Sequence, residues 1–370
     1  MSVSTFPCSS CGADLAFEPG TTSLACPYCK AVTEIAPAQG EVEELDFAHA
    51  LARLDEEAEH IEVIEVACQA CSAHVRLEEN TASRACPFCG SNLVASGVST
   101  RQIKPRSILP FSIDRAKAQQ AFRQWLASRW FAPSALRRLA TIEGDAVYKG
   151  ANASALAGLY MPYWTYDCHA TTRYTGMRGD HYYVSVQRTT MVNGKPQTRT
   201  VQERRTRWTP AAGVVADHFN DVLVVASDAL PAEQLSSVED WDLPALTPYK
   251  DEYLSGFRAQ TYTIDLRGGF DGAKVRMEPT IRATVNRDIG GDVQQITSMN
   301  SSYRDITFKH ILVPVWVSAY RYNGKAYRFL VNGRSGSVTG SRPYSATKIA
   351  MFTLACLAVV GLVVWYVSST

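Results

Sequence analysis

This sequence predicts an α+β fold, and three observations predict it. Two groups of four cysteines recur at identical spacing, two strand–helix stretches echo one another, and an uncharged run lies near the C-terminus. At 370 residues the chain has room for more than one domain.

The cysteines come first. Cys8-x2-Cys11 is followed after fourteen residues by Cys26-x2-Cys29, and Cys68-x2-Cys71 after fourteen by Cys86-x2-Cys89. Each C-x2-C turn sets two thiolates on one side of a metal, and two such turns close a tetrahedron around Zn2+. Both second turns read Cys-Pro-aromatic-Cys, as if one module were used twice. The expectation is a zinc ribbon over residues 1–37 and another over 65–96, each holding one structural zinc ion. Four cysteine ligands leave no open position for water or substrate. Rubredoxin-type iron takes the same ligand set. A disulfide framework needs an oxidising compartment and usually a secretory leader, and Met1 to Leu15 has neither a basic start nor an apolar run. A redox dithiol explains one C-x2-C pair but not two matched pairs of pairs. Cys168 and Cys356 stand outside both groups, and free thiols beside zinc thiolates favour a reducing interior. Gly12 and Gly90 follow the second cysteine of a turn, where a positive φ suits glycine; Lys30 and Ser72 occupy the equivalent places.

Residues 38–64 join the ribbons. Glu41 to Ile64 has no Gly or Pro, and Leu45, Ala48, Leu51, Ala52 and Leu54 recur at helical spacing among acids. That pattern predicts an acidic amphipathic helix.

The α+β body is expected over 97–345. Ser107 to Ser112 predicts a short strand, followed by a helix from Asp114, a suitable N-cap, to about Trp130. Its apolar face is Ala118, Phe122, Trp125, Leu126 and Trp130. Leu159 to Trp164 predicts a strand, and Tyr182 to Val192 with Pro196 to Trp208 flank Asn193-Gly194, a strong hairpin signal. The second half echoes the first. Leu246-Thr-Pro-Tyr249 resembles Leu109-Pro-Phe111, and a helix over Phe270 to Ile289, kinked at Pro279, takes the place of the first helix. Leu312-Val-Pro-Val-Trp316 matches Tyr160-Met-Pro-Tyr-Trp164, and Arg321-Tyr-Asn-Gly324 matches Arg173-Tyr-Thr-Gly176. Two further turns are expected at Asn323-Gly324 and Asn332-Gly333. The expected architecture is a strand–helix–strand–hairpin unit used twice, over about 105–230 and 240–340, with Trp164 and Trp316 as core anchors.

Residues 346–370 form the last segment. Ile349 to Val367 is 19 residues without a charge, and as a helix it spans about 28 Å against a hydrocarbon core of about 30 Å. Arg334, Arg342 and Lys348 precede it and no charged residue follows. The positive-inside rule then places the N-terminal bulk in the cytoplasm, held to the cell membrane by a single-pass tail anchor. Tyr344 on one side and Trp365-Tyr366 on the other suit the two interfaces.

Enzyme signatures are absent from the sequence. There is no G-x4-G-K-[ST] phosphate loop, no H-E-x2-H and no G-x-S-x-G. Cys168 and His169 are neighbours on a strand and point to opposite faces. Residues 1–100 carry fifteen Asp and Glu against four Lys and Arg, and the remainder twenty-one against thirty-three. An acidic front end is poorly suited to phosphate backbones, so nucleic acid is not the expected partner. Arg199, Arg205 and Arg207 share a face at period two, with Arg188 and Lys195 nearby. They are either a solvated face or a contact for anionic headgroups or an acidic partner.

Two ribbons, a repeated Pro-x-Trp unit and a membrane helix resemble a bacterial family of membrane-anchored double zinc-ribbon proteins. The resemblance runs over nearly the whole chain, through Tyr160-Met-Pro-Tyr-Trp164, Arg173-Tyr-Thr-Gly176, Phe308-Lys-His-Ile-Leu-Val-Pro-Val-Trp316 and Tyr327-Arg-Phe-Leu-Val-Asn-Gly333. It implies metal ligation by the eight cysteines and no catalytic residue. It also implies recruitment of flotillin-like (SPFH) or PspA/ESCRT-III-like proteins to the bilayer. Relatives with primosomal-helicase or TFIIB-type labels share zinc knuckles, and this chain has no helicase motor. The functional expectation is a non-enzymatic scaffold. A zinc-ribbon nucleic-acid binder in transcription or replication is the first alternative, and an enzyme with its site in the α+β body is the second.

Overall fold

In the computed structural model the described residues are 6–37, 40, 42–54, 60–67, 74–76, 83–85, 92–94, 98–134, 156–192, 195–228, 232–322 and 325–369. They form a mixed helix-and-sheet structure with a four-cysteine cluster near its start and one long apolar helix near its end.

The first ribbon is an antiparallel sheet of β1 (Ala16–Phe17), β2 (Ser23–Ala25) and β3 (Val32–Glu34). It has no separate core. Leu15, Phe17, Leu24 and Ile35 are buried in one cluster with Phe111, Tyr160 and Tyr253 of the body. Phe17 meets Tyr253 edge-on at 5.2 Å, and the Gly20 amide donates to the Phe111 carbonyl at 2.8 Å. So small a module buries too little apolar surface by itself, and this one completes its core against the body.

The linker departs from the expected single helix. Among the described residues, Leu45–Asp46 is a short strand, β4, paired with Phe308 and Thr307; α1 is Phe47–Leu54; His60–Ala67 is a strand, β5. Residue type explains the correction. Ile61, Val63, Ile64 and Val66 are β-branched and favour strand, while Phe47 is drawn into the body against Tyr166, Phe270 and Phe308.

Strand β5 pairs with β6 (His74–Arg76) and with β9 (Val98–Ile103), and β7 (Ser83–Ala85) forms a hairpin with β8 (Asn92–Val94). Ser83 faces Val94 and Ala85 faces Asn92, just as Ser23 faces Glu34 and Ala25 faces Val32. The two hairpins hold the same register relative to their cysteines.

The body strands are β10 (Ser107–Ile108), β11 (Ala157–Val192), β12 (Lys195–Val225), β13 (Thr247–Pro248), β14 (Arg258–Ala259), β15 (Val293–Tyr322), β16 (Lys325–Asn332) and β17 (Val338–Gly340). They lie in the order β12-β11-β15-β10-β13, with β14 added to β11 and the β16–β17 pair added to β15. Strands β11, β12 and β15 have 36, 31 and 30 residues, several times the usual length. The helices are α2 (Arg115–Ala127), α3 (Ala232–Ser236), α4 (Leu266–Ile289) and α5 (Ala346–Ser369).

Side chains alternate across the sheet and divide the core in two. On one face Leu266, Phe270, Ala273, Met277 and Ile281 of α4, at three- and four-residue steps, bury against Trp164, Tyr166, Cys168 and Phe308. Gly269 permits this approach, since a Cβ there would lie 2.4 Å from the Tyr166 hydroxyl. Pro279 sits inside α4, which remains one continuous helix. On the other face Leu159, Met161, Tyr163, Val313 and Val315 pack with Leu235 and Trp241. Helix α2 begins as expected, with the Asp114 carboxylate accepting from the Lys117 amide at 2.8 Å. It ends at Ala127, so Trp130 falls beyond the apolar face and stands 66% exposed.

Two arrangements in the sheet match. β10 runs parallel to β15 with Ile108 beside Leu312, and β14 runs parallel to β11 with Ala259 beside Tyr160. Trp164 and Trp316 are both buried in the core, as expected. Asn193-Gly194 and Asn323-Gly324 lie outside the described residues, between strands that pair on either side of them. Asn332-Gly333 does not make a two-residue turn. The chain returns at Ser337, whose carbonyl accepts from the Asn332 amide at 2.8 Å, and the buried Asn332 side chain donates to the Val238 carbonyl at 2.8 Å.

Candidate metal centre

Two knuckles build the site and close in the same way. The Cys8 amide donates to the Ala13 carbonyl and the Cys26 amide to the Ala31 carbonyl, each at 2.8 Å. The Gly12 amide returns to the Cys8 carbonyl at 2.8 Å and the Lys30 amide to the Cys26 carbonyl at 3.2 Å. Both turns need a positive φ after the second cysteine, 75° at Gly12 and 63° at Lys30. Glycine takes that conformation freely, whereas a side chain there costs about 1–2 kcal/mol. The Lys30 ammonium is held back onto the knuckle by the Pro27 carbonyl at 3.0 Å.

This geometry brings Cys8, Cys11, Cys26 and Cys29 together, with all four Sγ atoms within 4.8 Å of one another. The Cys8–Cys29 and Cys11–Cys26 sulfur pairs are 3.5 Å apart. A tetrahedral ion with metal–sulfur bonds of about 2.3 Å sets its sulfurs about 3.8 Å apart, so the four donors fit one such ion. Backbone amides prepare the sulfurs for ionisation. The Cys29 and Tyr28 amides hold the Cys26 thiol down to about 6 against the penalty of burial, and the Ser10 and Cys11 amides lower Cys8. For Cys29 the Ala31 amide pulls the same way, but the sulfurs of Cys8, Cys26 and Cys11 outweigh it and push the thiol up to about 12. Four thiolates cannot gather here without a cation, and a dication resolves that conflict. Cys8 and Cys26 are buried while Cys11 and Cys29 are exposed, so the centre lies at the surface.

The second expected ligand set, Cys68, Cys71, Cys86 and Cys89, lies outside the described residues. Strands β5 and β7 end at Ala67 and Ala85, one residue before Cys68 and Cys86.

Arg188, Lys195, Arg199, Arg205 and Arg207 of the β11–β12 hairpin fall on one face by register, and Arg204 on the other. Arg188 is opposite Arg199, Tyr182 opposite Arg205, Asp180 opposite Arg207 and Val192 opposite Lys195. Arg188 and Arg205 share one carboxylate, Glu203, each at 3.7 Å.

A charged group that no local signal announced sits in the middle of the sheet. The Lys309 ammonium, 7% exposed, meets Asp221 at 2.6 Å, Glu44 at 2.8 Å and Asp167 at 3.8 Å. Asp167 lies at a bulge of β11, and the Asp221 amide donates to it across that irregularity. Burial pushes the Asp167 carboxyl up, whereas the hydrogen bond from Lys309 holds Glu44 down. Four segments far apart in the chain, those of Glu44, Asp167, Asp221 and Lys309, assemble this cluster.

Cys168 and His169 do not form a nucleophile pair. The Cys168 thiol is buried, donates to Met277 Sδ at 3.7 Å, and is pushed up to about 11 by burial. His169 instead packs against His218, the rings tilted with centroids 4.6 Å apart. Burial holds His310 down to about 4, and its Nδ1 lies 3.1 Å from the Ile103 carbonyl. That environment suits a neutral core imidazole.

No family model matches the chain. No solved structure matches it significantly. The chain is similar to YdjG of Bacillus subtilis (strain 168), described as an uncharacterized protein, with 24% identity over 352 residues. The alignment covers 94% of this chain and 92% of that relative.

Proposed function

We propose that this chain is a zinc-ribbon scaffold, anchored in the cell membrane, that recruits protein partners to the bilayer and performs no chemistry of its own. The observation that carries this reading is helix Ala346–Ser368, 23 residues long, with no part of its most apolar stretch buried against the protein. Leu354, Leu357, Leu362 and Val363 are each more than half exposed. An apolar surface of that length is stable in lipid and costly in water. Arg342 and Lys348 at its start favour a cytoplasmic body, by the positive-inside rule.

The ion at Cys8, Cys11, Cys26 and Cys29 is zinc in this reading, because four thiolates in a tetrahedron suit zinc in a structural, closed site. A second zinc ion sits at Cys68, Cys71, Cys86 and Cys89, supported by the matched spacing and by the shared register of the two hairpins. The body is one strand–helix–strand unit used twice, supported by the paired placement of β10 and β14. Its partners are flotillin-like or PspA/ESCRT-III-like proteins, as the family resemblance implies.

Cell fractionation tests the anchor. The full chain stays with membranes through an alkaline carbonate wash, and a chain ended after Ser345 moves to the soluble fraction. Metal analysis of purified chain gives one zinc ion for each cysteine group. A full chain that washes off the membrane overturns the anchoring, and material that refolds without zinc overturns the structural role of the metal.

A further inference from the structure

The start of the apolar helix is tied to a segment more than two hundred residues earlier in the chain. The Ser345 amide donates to the Phe131 carbonyl at 2.8 Å, and the Lys348 ammonium donates to the carbonyls of Trp130 at 3.1 Å and Ala132 at 2.7 Å. Phe131 packs edge-on against Phe352 at 5.5 Å. These contacts fasten the end of α2 to the first turns of α5, so whatever surface receives α5 also receives Arg129 to Ala132.

Side chains at this junction are of two kinds. Trp130 is 66% and Tyr344 61% exposed, two large aromatic groups with a polar edge. The Arg342 guanidinium lies 5.8 Å from the Trp125 ring and 5.2 Å from the Tyr344 ring, and Arg129 lies 5.2 Å from Trp125. Neither arginine has an acidic partner within ion-pair distance among the described residues. The Arg342 Nε is shielded from solvent yet has no hydrogen-bond partner.

We propose that Arg129, Trp130, Arg342 and Tyr344 form a collar at headgroup level that binds the anionic phospholipids of the bilayer receiving α5. Exposed Trp and Tyr are costly in water and favoured where apolar and wet regions meet. Contact with the aromatic rings, and for Arg129 the Nε bond to the Trp125 carbonyl at 3.3 Å, holds each guanidinium in place and leaves its terminal amino groups to meet a phosphate. The collar is continuous with the apolar helix, which identifies the occupant as the membrane's own lipid. This inference rests on the anchoring proposed above and adds the lipid class and the docked posture of the body.

Photo-crosslinking of the full chain in nanodiscs tests it. A benzophenone amino acid is placed singly at Trp130, at Leu357 and at Tyr28, in phosphatidylcholine discs with and without phosphatidylglycerol. Lipid adducts are expected at positions 130 and 357 and none at 28. Phosphatidylglycerol should be over-represented in the adducts at 130, falling about five-fold with each of Arg129→Glu and Arg342→Glu, the equivalent of about 1 kcal/mol per charge. Adducts at 357 without any at 130 overturn the collar and leave the anchor standing. No adducts at 357 overturn the anchor and the collar together. Adducts at 130 with no preference for phosphatidylglycerol overturn the binding of anionic lipid. Retention of the 357 adducts in the charge variants shows that they still fold and insert.

Discussion

Trp164 and Trp316 make equivalent hydrogen bonds, each to the carbonyl just before a helix N-cap. The Trp164 indole N–H donates to the Ile264 carbonyl and the Trp316 indole N–H to the Ile113 carbonyl, both at 2.9 Å. Each acceptor immediately precedes an aspartate N-cap, Asp265 of α4 or Asp114 of α2. Each strand thus positions the start of a helix distant in sequence, β11 that of α4 and β15 that of α2. Trp164→Phe and Trp316→Phe keep most of the apolar volume but leave a carbonyl without its donor. Each should cost about 1–3 kcal/mol, read as a lower urea midpoint with an unchanged slope. A substitution with no effect would show that its indole N–H holds nothing in place.

The Trp residues and Asp114 were legible because their signals are local: a Pro-x-Trp string, and an acid placed just before an apolar helical pattern. The first four-cysteine cluster was legible because ligand spacing alone prescribes the knuckle. The equivalent placement of the two indoles was not. The sequence echo aligned Leu246-Thr-Pro-Tyr249 with Leu109-Pro-Phe111, whereas the helix starts correspond at Ile264-Asp265 and Ile113-Asp114. Strand pairing between distant segments decides that, and no periodicity reports it. Strand length was hidden for a similar reason. A two-residue alternation shows that a strand exists but not where its neighbour stops. Trp130 falls outside the apolar face because helical spacing carries no meaning after Ala127, where the helix ends.

Among the described residues Lys309 is the single cation in contact with Glu44, Asp167 and Asp221. Lys309→Met leaves Asp167, also nearly buried, without its counter-charge, and the expected loss at neutral pH is about 3–5 kcal/mol. The pH dependence has a definite sign. The Asp167 carboxyl is already raised by burial and rises further without Lys309. A raised carboxylate destabilises the fold while ionised and ceases to do so once protonated. The gap between variant and parent should therefore narrow as pH falls from neutral through the mildly acidic range. Lys309 itself is raised by Asp221 and Glu44 against the penalty of burial, so its contribution is present at neutral pH and is lost only above the ordinary lysine range. Urea titrations at two pH values decide this, and a gap that widens in acid contradicts the assignment.

Lys30 occupies a left-handed conformation that Gly12 occupies in the twin knuckle. Lys30→Gly removes the strain, at the loss of an exposed contact to the Pro27 carbonyl. The strain outweighs that contact, so the first ribbon should gain about 0.5–1 kcal/mol. The gain should appear as slower metal release to a chelator. Cys26→Ser acts in the opposite direction and removes a buried ligand. Because Phe17 and Leu24 share a cluster with Phe111 and Tyr253, loss of the metal should lower the unfolding temperature of the body as well as that of the ribbon. Unfolding of the ribbon alone would show that the shared cluster does not couple them.

The pairing of β15 with β11 ends at Val293 opposite Gly179. Beyond it Asp180–Val192 and Lys195–Arg207 continue as a two-stranded arm, roughly 40 Å long at the usual rise per residue. Among the described residues, none between Asp180 and Arg207 is buried. A two-stranded ribbon with no third strand or helix is marginal by itself. This arm also sets Arg188 directly opposite Arg199, a like-charge pair that weakens a sheet by a fraction of 1 kcal/mol. Removing Val184–Val192 and Lys195–Glu203 together leaves Asn193-Gly194 between Tyr183 and Arg204 and keeps the register. The shortened chain should keep its unfolding temperature within about 2 °C, since no core contact is lost. Arg199→Glu should raise amide-exchange protection along the arm, because an ion pair replaces the repulsion. Both outcomes follow if the arginines serve contacts outside this chain and not its stability. A shortened arm that unfolds the body, or an Arg199→Glu arm that exchanges faster, places their partner within the chain and removes the arm as a contact surface.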